Sequence, residues 1–266
     1  MMILGSALAA DEASVVHVTA DITTDTTWDS DVDDDGTVDQ IYLIDTAISV
    51  KDPGYGSTWT QGDPKVTLTI TPGTVVAGTG TGSGSGANVG SLVVTRSGRL
   101  EAGGTKDAPI IFTSVLEAES RFGIDIDGDE FTNDLPLDPV TDGGEWGGVI
   151  LLGSAPINFT SGATNVGEAS IEGFPAGSSA DIVYGGSDAT DDSGTLRFVR
   201  IELGGYEFEP NEEINGLTLG GVGNGTTLEF IEVSGNTDDG FEFFGGTVNT
   251  KWLVSYANQD ESFDVD

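Results

Sequence analysis

The chain lacks cysteine altogether, has a single histidine, and carries only 9 Lys+Arg against 45 Asp+Glu in 266 residues. Without cysteine there is no disulfide framework and no thiol chemistry, a composition that fits any compartment. The scarcity of basic residues leaves a formal net charge of −36. A surface of that sign repels nucleic acid and anionic lipid, so neither is expected as a partner. No segment reaches the ~20 apolar residues needed to cross a bilayer, so no membrane span is expected. Almost no stretch places apolar residues at helical spacing, which excludes an ordinary helical protein.

What the chain has in abundance is glycine, 40 residues of it, together with threonine, valine and isoleucine. Glycine punctuates turns and β-branched side chains suit a pleated surface, so the composition reads as all-β. Short apolar-alternating runs recur along the whole length, among them Ile41–Ile44, Val66–Ile70, Leu92–Thr95, Val149–Leu152 and Leu228–Val233. None reads as the first strand of a strand–helix–strand unit. Self-repulsion from so much negative charge opposes compaction. Bound divalent cations or a saline habitat would each relieve it, and both remain open at this point.

The first ten residues, MMILGSALAA, resemble the end of a secretory leader. Met2, Ile3 and Leu4 are apolar, and Ala7-Leu8-Ala9 fits an A-x-A cleavage site before Asp11. Residues 1–10 are therefore expected to be a signal-peptide remnant and residues 11–266 a single domain, secreted or on the outer cell surface.

An internal repeat decides the fold class. FIEVSGNTDDGFEF from Phe230 matches WLVSYANQDESFDV from Trp252 at a step of 22 residues, which sets Asn236 on Asn258, Asp238 on Asp260 and Phe241 on Phe263. TLRFVRI from Thr195 matches TLEFIEV from Thr227 at a step of 32, so one coil carries an inserted loop. One turn of a parallel β-helix takes about two dozen residues, and equivalent residues then stack one strand spacing, ~4.8 Å, apart. The expectation is an all-β parallel β-helix, a solenoid with coils of about 22 residues and inserted loops. Stacked Phe and Ile would form its core, and stacked Asn and Asp its turns.

Several segments carry a family resemblance: LTITPGTVVAG, SLVVTRSGRLEAGGTKDAPIIFTS, WGGVILLGSAPIN, SGTLRFVRIELGG, EINGLTLGGVGNGTTLEFIEV and DDGFEFFGGTVNTKWLVS. In wording and order they resemble a widespread family of secreted bacterial surface proteins and lipoproteins. The resemblance covers residues 15–266 and implies a right-handed parallel β-helix; it implies no activity, because the family has no assigned function. The acidic stretches 29–39 and 125–134 depart from the pattern as insertions, and the pattern is expected to continue beyond Asp266.

The first insertion is the strongest metal signal. Asp29, Asp31, Asp33 and Asp35 alternate, Gly36 permits a sharp turn, and Asp39 follows at the ninth position counted from Asp31. Hard Ca²⁺ takes six to eight oxygens, which alternating carboxylates on a turning loop supply. Tyr42 stands where an EF-hand has its bidentate Glu, so the loop resembles shorter Asp-rich calcium loops of extracellular modules. Asp125, Asp127 and Asp129 form a second, weaker alternation. The expected cofactor is Ca²⁺.

The repeated Asn-x-Asp-acid motif admits two readings. As structure, Asn236 and Asn258 form a turn ladder. As chemistry, GNTDDG resembles the N-T-D motif of polygalacturonases, and Asp238, Asp260 and Glu261 would supply the carboxylates of a glycosidase. Their G-H-G and R-I-K motifs are absent, and the only histidine, His17, lies near the other end. A pectate-lyase-like reaction would need a base from Arg197, Arg200 or Lys251. Trp146 and Phe241–Phe244 read as coil packing. A structural, adhesive or glycan-binding surface protein is thus favoured over a carbohydrate-active enzyme, with a polysaccharide or cell-surface component as partner.

Overall fold

The structure is a computed structural model that describes residues 13–80, 89–126, 136–158, 167–171, 180–209 and 212–266. The leader-like residues 1–10 lie outside the described residues, as do Asp127 and Asp129. The strands form one ten-stranded sheet, one six-stranded sheet and two small hairpins. Every pairing within the two large sheets is parallel; only the hairpins, Glu168–Ser170 with Val183–Gly185 and Glu207–Glu209 with Glu212–Glu213, are antiparallel. The chain is an all-β, right-handed parallel β-helix.

Each coil lays down three legs. In the amino-terminal coils the first leg (Val66–Ile70, Gly98–Gly103) and the second (Val75–Gly78, Ile110–Ser114) are separate strands. Later they fuse into the long strands Gly194–Glu202, Thr227–Ser234 and Asn249–Tyr256. The fusion is visible in the register. Gly194–Arg197 pairs with Leu100–Gly103, while Val199–Ile201 pairs with Ile110–Phe112. The third leg builds the six-stranded sheet, ending in Leu217–Gly220, Phe241–Phe244 and Phe263–Val265.

The sequence repeat is the coil. Thr227 pairs with Asn249 and Phe241 with Phe263, and Thr195 pairs with Thr227. Phe230 stacks on Trp252 with centroids 4.3 Å apart, and Phe241 on Phe263 at 5.1 Å. Corners turn on residues in the left-handed region, themselves stacked: Phe198, Phe230 and Trp252 (φ 49°, 56°, 56°), then Leu203, Gly235 and Ala257 (φ 62°, 71°, 57°). Bulky side chains seldom occupy this region.

Aliphatic residues from all three legs fill the interior, including Ile48, Leu68, Leu92, Leu100, Leu196, Ile231 and Phe241, each at most 1 % exposed. Phe230 differs from expectation: it sits half-buried on the outside of the corner, because a left-handed residue breaks the two-residue alternation that would have turned it inward. A second difference is the helix Val115–Phe122. Ser114 caps it by accepting from the Glu117 amide at 3.1 Å, and Gly123 closes it in the left-handed region (φ 69°). Val115 and Ala118 pack on Ile41, Leu43, Val75 and Ala77, so the helix roofs the outer face of the early second legs. Residues 169–171 and 183–185 do the same for the six-stranded sheet, where Tyr184, Ile171 and Ala169 cover Ile150, Leu152 and Phe244.

Trp146 locks these layers together. It is fully buried, and its indole Nε1 donates to the Glu202 carbonyl at 2.8 Å. Gly78 makes room for it: a Cβ there would stand 2.6 Å from Trp146 Cε3. Trp146→Ala is expected to lose about 3–5 kcal/mol in chemical denaturation, while Trp146→Phe, which keeps most of the volume and strands only the Glu202 carbonyl, loses about 1–3 kcal/mol. Equal losses would show that the hydrogen bond, not packing, dominates.

Candidate functional site

The fused strands present three side-chain ladders on one outer face. Arg197, Glu229 and Lys251 form the first, with Glu229 3.9 Å from Arg197 and 3.7 Å from Lys251. Arg200, Glu232 and Val254 form the third, with the Arg200–Glu232 pair at 3.8 Å. Between them runs the aromatic ladder. Phe198 and Phe230 are 4.6 Å apart at an interplanar angle of 5°, and Trp252 continues the stack at 12°. The Arg197 guanidinium lies 5.2 Å from the Phe198 centroid, and Lys251 Nζ lies 5.9 Å from that of Trp252. Each ring covers its neighbour's face, so the ladder presents its ring edges along the corner.

The Thr105–Pro109 turn of an earlier coil walls one end of this face and encloses with it a groove of about 490 Å³. Of the chain's nine basic residues, Lys106 and Arg200 line it, and Arg197 and Lys251 lie over rings of the aromatic ladder. Held at 3.7–3.9 Å and half exposed, the ion pairs add little stability. They leave charged groups of both signs facing a ligand. The 22-residue step sets Phe230 on Trp252, as found, but the sequence places the stack in the core; its outward placement was missed because Phe198, Phe230 and Trp252 sit among core-like β-branched residues. The available signal was their equivalence under the 32- and 22-residue steps combined with a cationic residue immediately before two of them.

The acidic repeat is also assembled as the register requires. Asp238 and Asp239 lie with Asp260 of the next coil, their ligand oxygens within 4.8 Å of one another. Asp239 is 6 % exposed and its Oδ1 accepts from the Glu261 amide at 2.9 Å. Burial, then the adjoining Asp238 charge, pushes its carboxyl up to about 7. Glu261 is raised by its hydrogen bond and charge contact with Asp260. Asn236 and Asn258 form the anticipated turn ladder: Asn258 Oδ1 accepts from the Asn236 amide at 2.9 Å, and Asn236 Nδ2 donates to the Asp239 carbonyl at 2.9 Å. The acids line neither this groove nor a smaller polar one of about 330 Å³ between Trp59, Lys65, Arg99 and Asp188.

In the first acidic loop, Asp31, Asp33 and Asp39 converge within 4.8 Å. Asp39 Oδ2 accepts from the Val32 amide at 2.7 Å, and Asp31 Oδ2 from the Gly36 amide at 2.8 Å. Asp31 Oδ1 is shielded from solvent without a hydrogen-bond partner. Asp35 turns to Thr37, accepting from its hydroxyl at 2.6 Å, and Asp29 to the Thr71 hydroxyl at 2.8 Å, so neither joins the cluster. On Asp33 the hydrogen bond from the Asp35 amide lowers the pKa, but the charges of Asp35, Asp39 and Asp31 and partial burial outweigh it and raise it. Asp125 is half-buried at the end of its described segment.

Residues 137–266 match a family model described as a pectate-lyase like beta helix domain. That match and the curled parallel sheets fit the right-handed parallel β-helix family, whose function is unassigned. No curated protein and no solved structure matches the chain. Among the described residues no helix is long and apolar enough to cross a membrane.

If the Asp238–Asp260 stack serves structure, amides should serve as well as acids. Asp238→Asn and Asp260→Asn are each expected to leave the protein folded with a melting temperature equal to or slightly above wild type, since each removes like-charge repulsion. A large drop in melting temperature would instead assign the carboxylates an attractive partner.

Proposed function

We propose that the protein is an extracellular, non-catalytic β-solenoid that binds an extended neutral polysaccharide along its aromatic face and holds calcium in its Asp31–Asp39 loop. The observation that carries the reading is the triple ladder: an apolar ribbon, Phe198–Phe230–Trp252, flanked on both sides by paired cationic and anionic side chains. Sugars offer apolar C–H patches alternating with hydroxyls that both donate and accept. The ring edges suit the first, and Arg and Glu side by side suit the second. A polymer lying along the solenoid axis meets an aromatic ring at each of the three coils, with cationic and anionic side chains alternating beside it from Arg197 to Glu229 to Lys251. A neutral chain also avoids repulsion from a body of net charge −36. The match to a pectate-lyase like domain supports a polysaccharide partner and an extracellular setting.

Calcium is supported by the convergence of Asp31, Asp33 and Asp39, an all-oxygen set with one shielded, unpartnered carboxylate oxygen. A second functional reading, glycoside cleavage, has one observation in its favour: Asp239, titrating near neutrality, stands beside other acids in the arrangement general acid catalysis uses. The position of those acids outside both grooves favours binding over cleavage.

Two measurements test this. On a panel of insoluble and soluble polysaccharides, wild type should bind at least one neutral polymer without releasing sugars. Phe230→Ala and Arg200→Ala should each weaken that binding roughly tenfold. Failure to bind any polymer, or release of oligosaccharides that Asp239→Asn abolishes, would overturn the binding reading. For the loop, Asp31→Asn combined with Asp33→Asn should lower the number of bound calcium ions by one and reduce the fall in melting temperature caused by chelator. An unchanged calcium count would remove the loop site.

A further inference from the structure

Two side-chain ladders of the six-stranded sheet run next to each other across its last three coils. Thr218, Glu242 and Asp264 occupy one by direct pairing. Asn215, Asp239 and Glu261 occupy the other by extension of the same register, in which the Gly216 amide donates to the Asp239 carbonyl and the Gly240 amide to the Glu261 carbonyl. In the first of these coils the two positions are compatible: Asn215 Nδ2 stands 3.5 Å from Thr218 Oγ1. One coil later both positions are carboxylates. Asp239 is 6 % exposed and Glu242 is 5 % exposed, so the facing pair is buried.

Two ionised carboxylates cannot donate to each other, and burial strengthens their repulsion. Asp264 of the following coil adds a third, and the ligand oxygens of Asp239, Glu242 and Asp264 all lie within 4.8 Å of one another. An independent feature points to a ligand at the same place. Asn215, 2 % exposed, sets its amide against this group, with Nδ2 donating to Glu242 Oε2, and its Oδ1 has no hydrogen-bond partner. A buried amide oxygen left unsatisfied costs about 1–3 kcal/mol unless something electropositive meets it.

We propose that Asp239, Glu242 and Asp264 form a divalent-cation site that clamps successive coils, completed by Asn215 once its amide turns over to present Oδ1 in place of Nδ2. The donors are all oxygen, with neither nitrogen nor sulfur ligands to favour zinc or copper, which selects a hard cation. Their positions are set by strand spacing, so the larger and geometrically tolerant Ca²⁺ suits them better than octahedral Mg²⁺. The site is separate from the Asp31–Asp39 loop and from the aromatic face, and does not depend on the reading of either. Bound there, the ion would stabilise the stacking of the coils that carry Phe230 and Trp252.

The test uses the full chain carrying Asp31→Asn and Asp33→Asn as background, at about pH 8 so that protons do not compete. Calcium alone is the probe, counted by equilibrium dialysis and followed by thermal melting against NaCl of equal ionic strength. The background is expected to bind one calcium ion and to gain roughly 5–10 °C in melting temperature at calcium a hundredfold above its Kd. Adding Glu242→Gln should weaken binding at least about tenfold and remove the gain. Asp264→Asn, at the half-buried rim where an amide is easily accommodated, should do the same while circular dichroism confirms the fold. The site is refuted if the background binds no calcium, if folded Asp264→Asn binds as tightly as the background, or if NaCl reproduces the gain.

Discussion

Everything in this molecule follows from stacking in register. A parallel coil laid on its neighbour brings each side chain to within a strand spacing of its own equivalent, so a position tolerates only what tolerates itself. Aliphatic residues meet that condition without cost, which is why the interior is continuous from Ile48 to Phe241. Flat rings meet it by stacking, as in Phe198–Phe230–Trp252 and Phe241–Phe263. Asparagine meets it by passing a hydrogen bond from coil to coil, Asn236 to Asn258. Charge does not meet it. Where the chain keeps charges in a ladder it alternates their sign, as Arg197, Glu229 and Lys251 do, or offers a backbone amide, as Glu261 does to Asp239. Asp238 with Asp260 and Glu242 with Asp264 stack like charges instead.

The corners add a second constraint. Three bulky residues in the left-handed region carry a backbone cost of about 1–2 kcal/mol each. No glycine relieves it at this corner, whereas the next corner does use Gly235 between Leu203 and Ala257. What is retained by keeping aromatics at the first corner is an outward-facing ribbon that glycine could not supply. Strain held by stacking and repeated in three coils fits a face kept for contact rather than for packing. The amino-terminal coils lack such a face, because the helix Val115–Phe122 covers their second legs. Arg121 at its end reaches Glu202 at 2.8 Å, so the roof stops where the fused strands begin.

Much of this was legible in the sequence, and the reason is the same register rule. FIEVSGNTDDGFEF and WLVSYANQDESFDV repeat because their residues occupy equivalent places, so the step, the parallel pairing and the Asn236–Asn258 ladder could all be read directly. Three of the five aspartates expected in the first loop do converge; Asp29 and Asp35 do not, because alternation along a loop cannot foretell which carboxylates its own backbone and threonines will occupy. The helix escaped notice because IIFTS runs straight into VLEAESRF. Its signals were the Ser114-x-x-Glu117 start and the Gly123 stop. The group Asp239, Glu242 and Asp264 was invisible for another reason: it joins two adjacent ladders, and a single-ladder comparison shows only one at a time.

The distribution of basic residues ties the charge to the aromatic face. With nine cations for 45 acids, most carboxylates have no cation to pair with and are left to solvent and turn amides. Spending three cations, Arg197, Arg200 and Lys251, on loosely held pairs that contribute little stability is therefore costly for this chain in particular. Tighter use was available: Lys51 joins Asp21 and Asp181 at 2.6 Å each, and Arg121 joins Glu117 and Glu202 at 2.7 and 2.8 Å. Arg197 and Lys251 instead sit over aromatic rings with Glu229 between them, where their hydrogen-bonding capacity stays open. The mixed signs along this strip stand against the net charge of −36 carried by the chain as a whole.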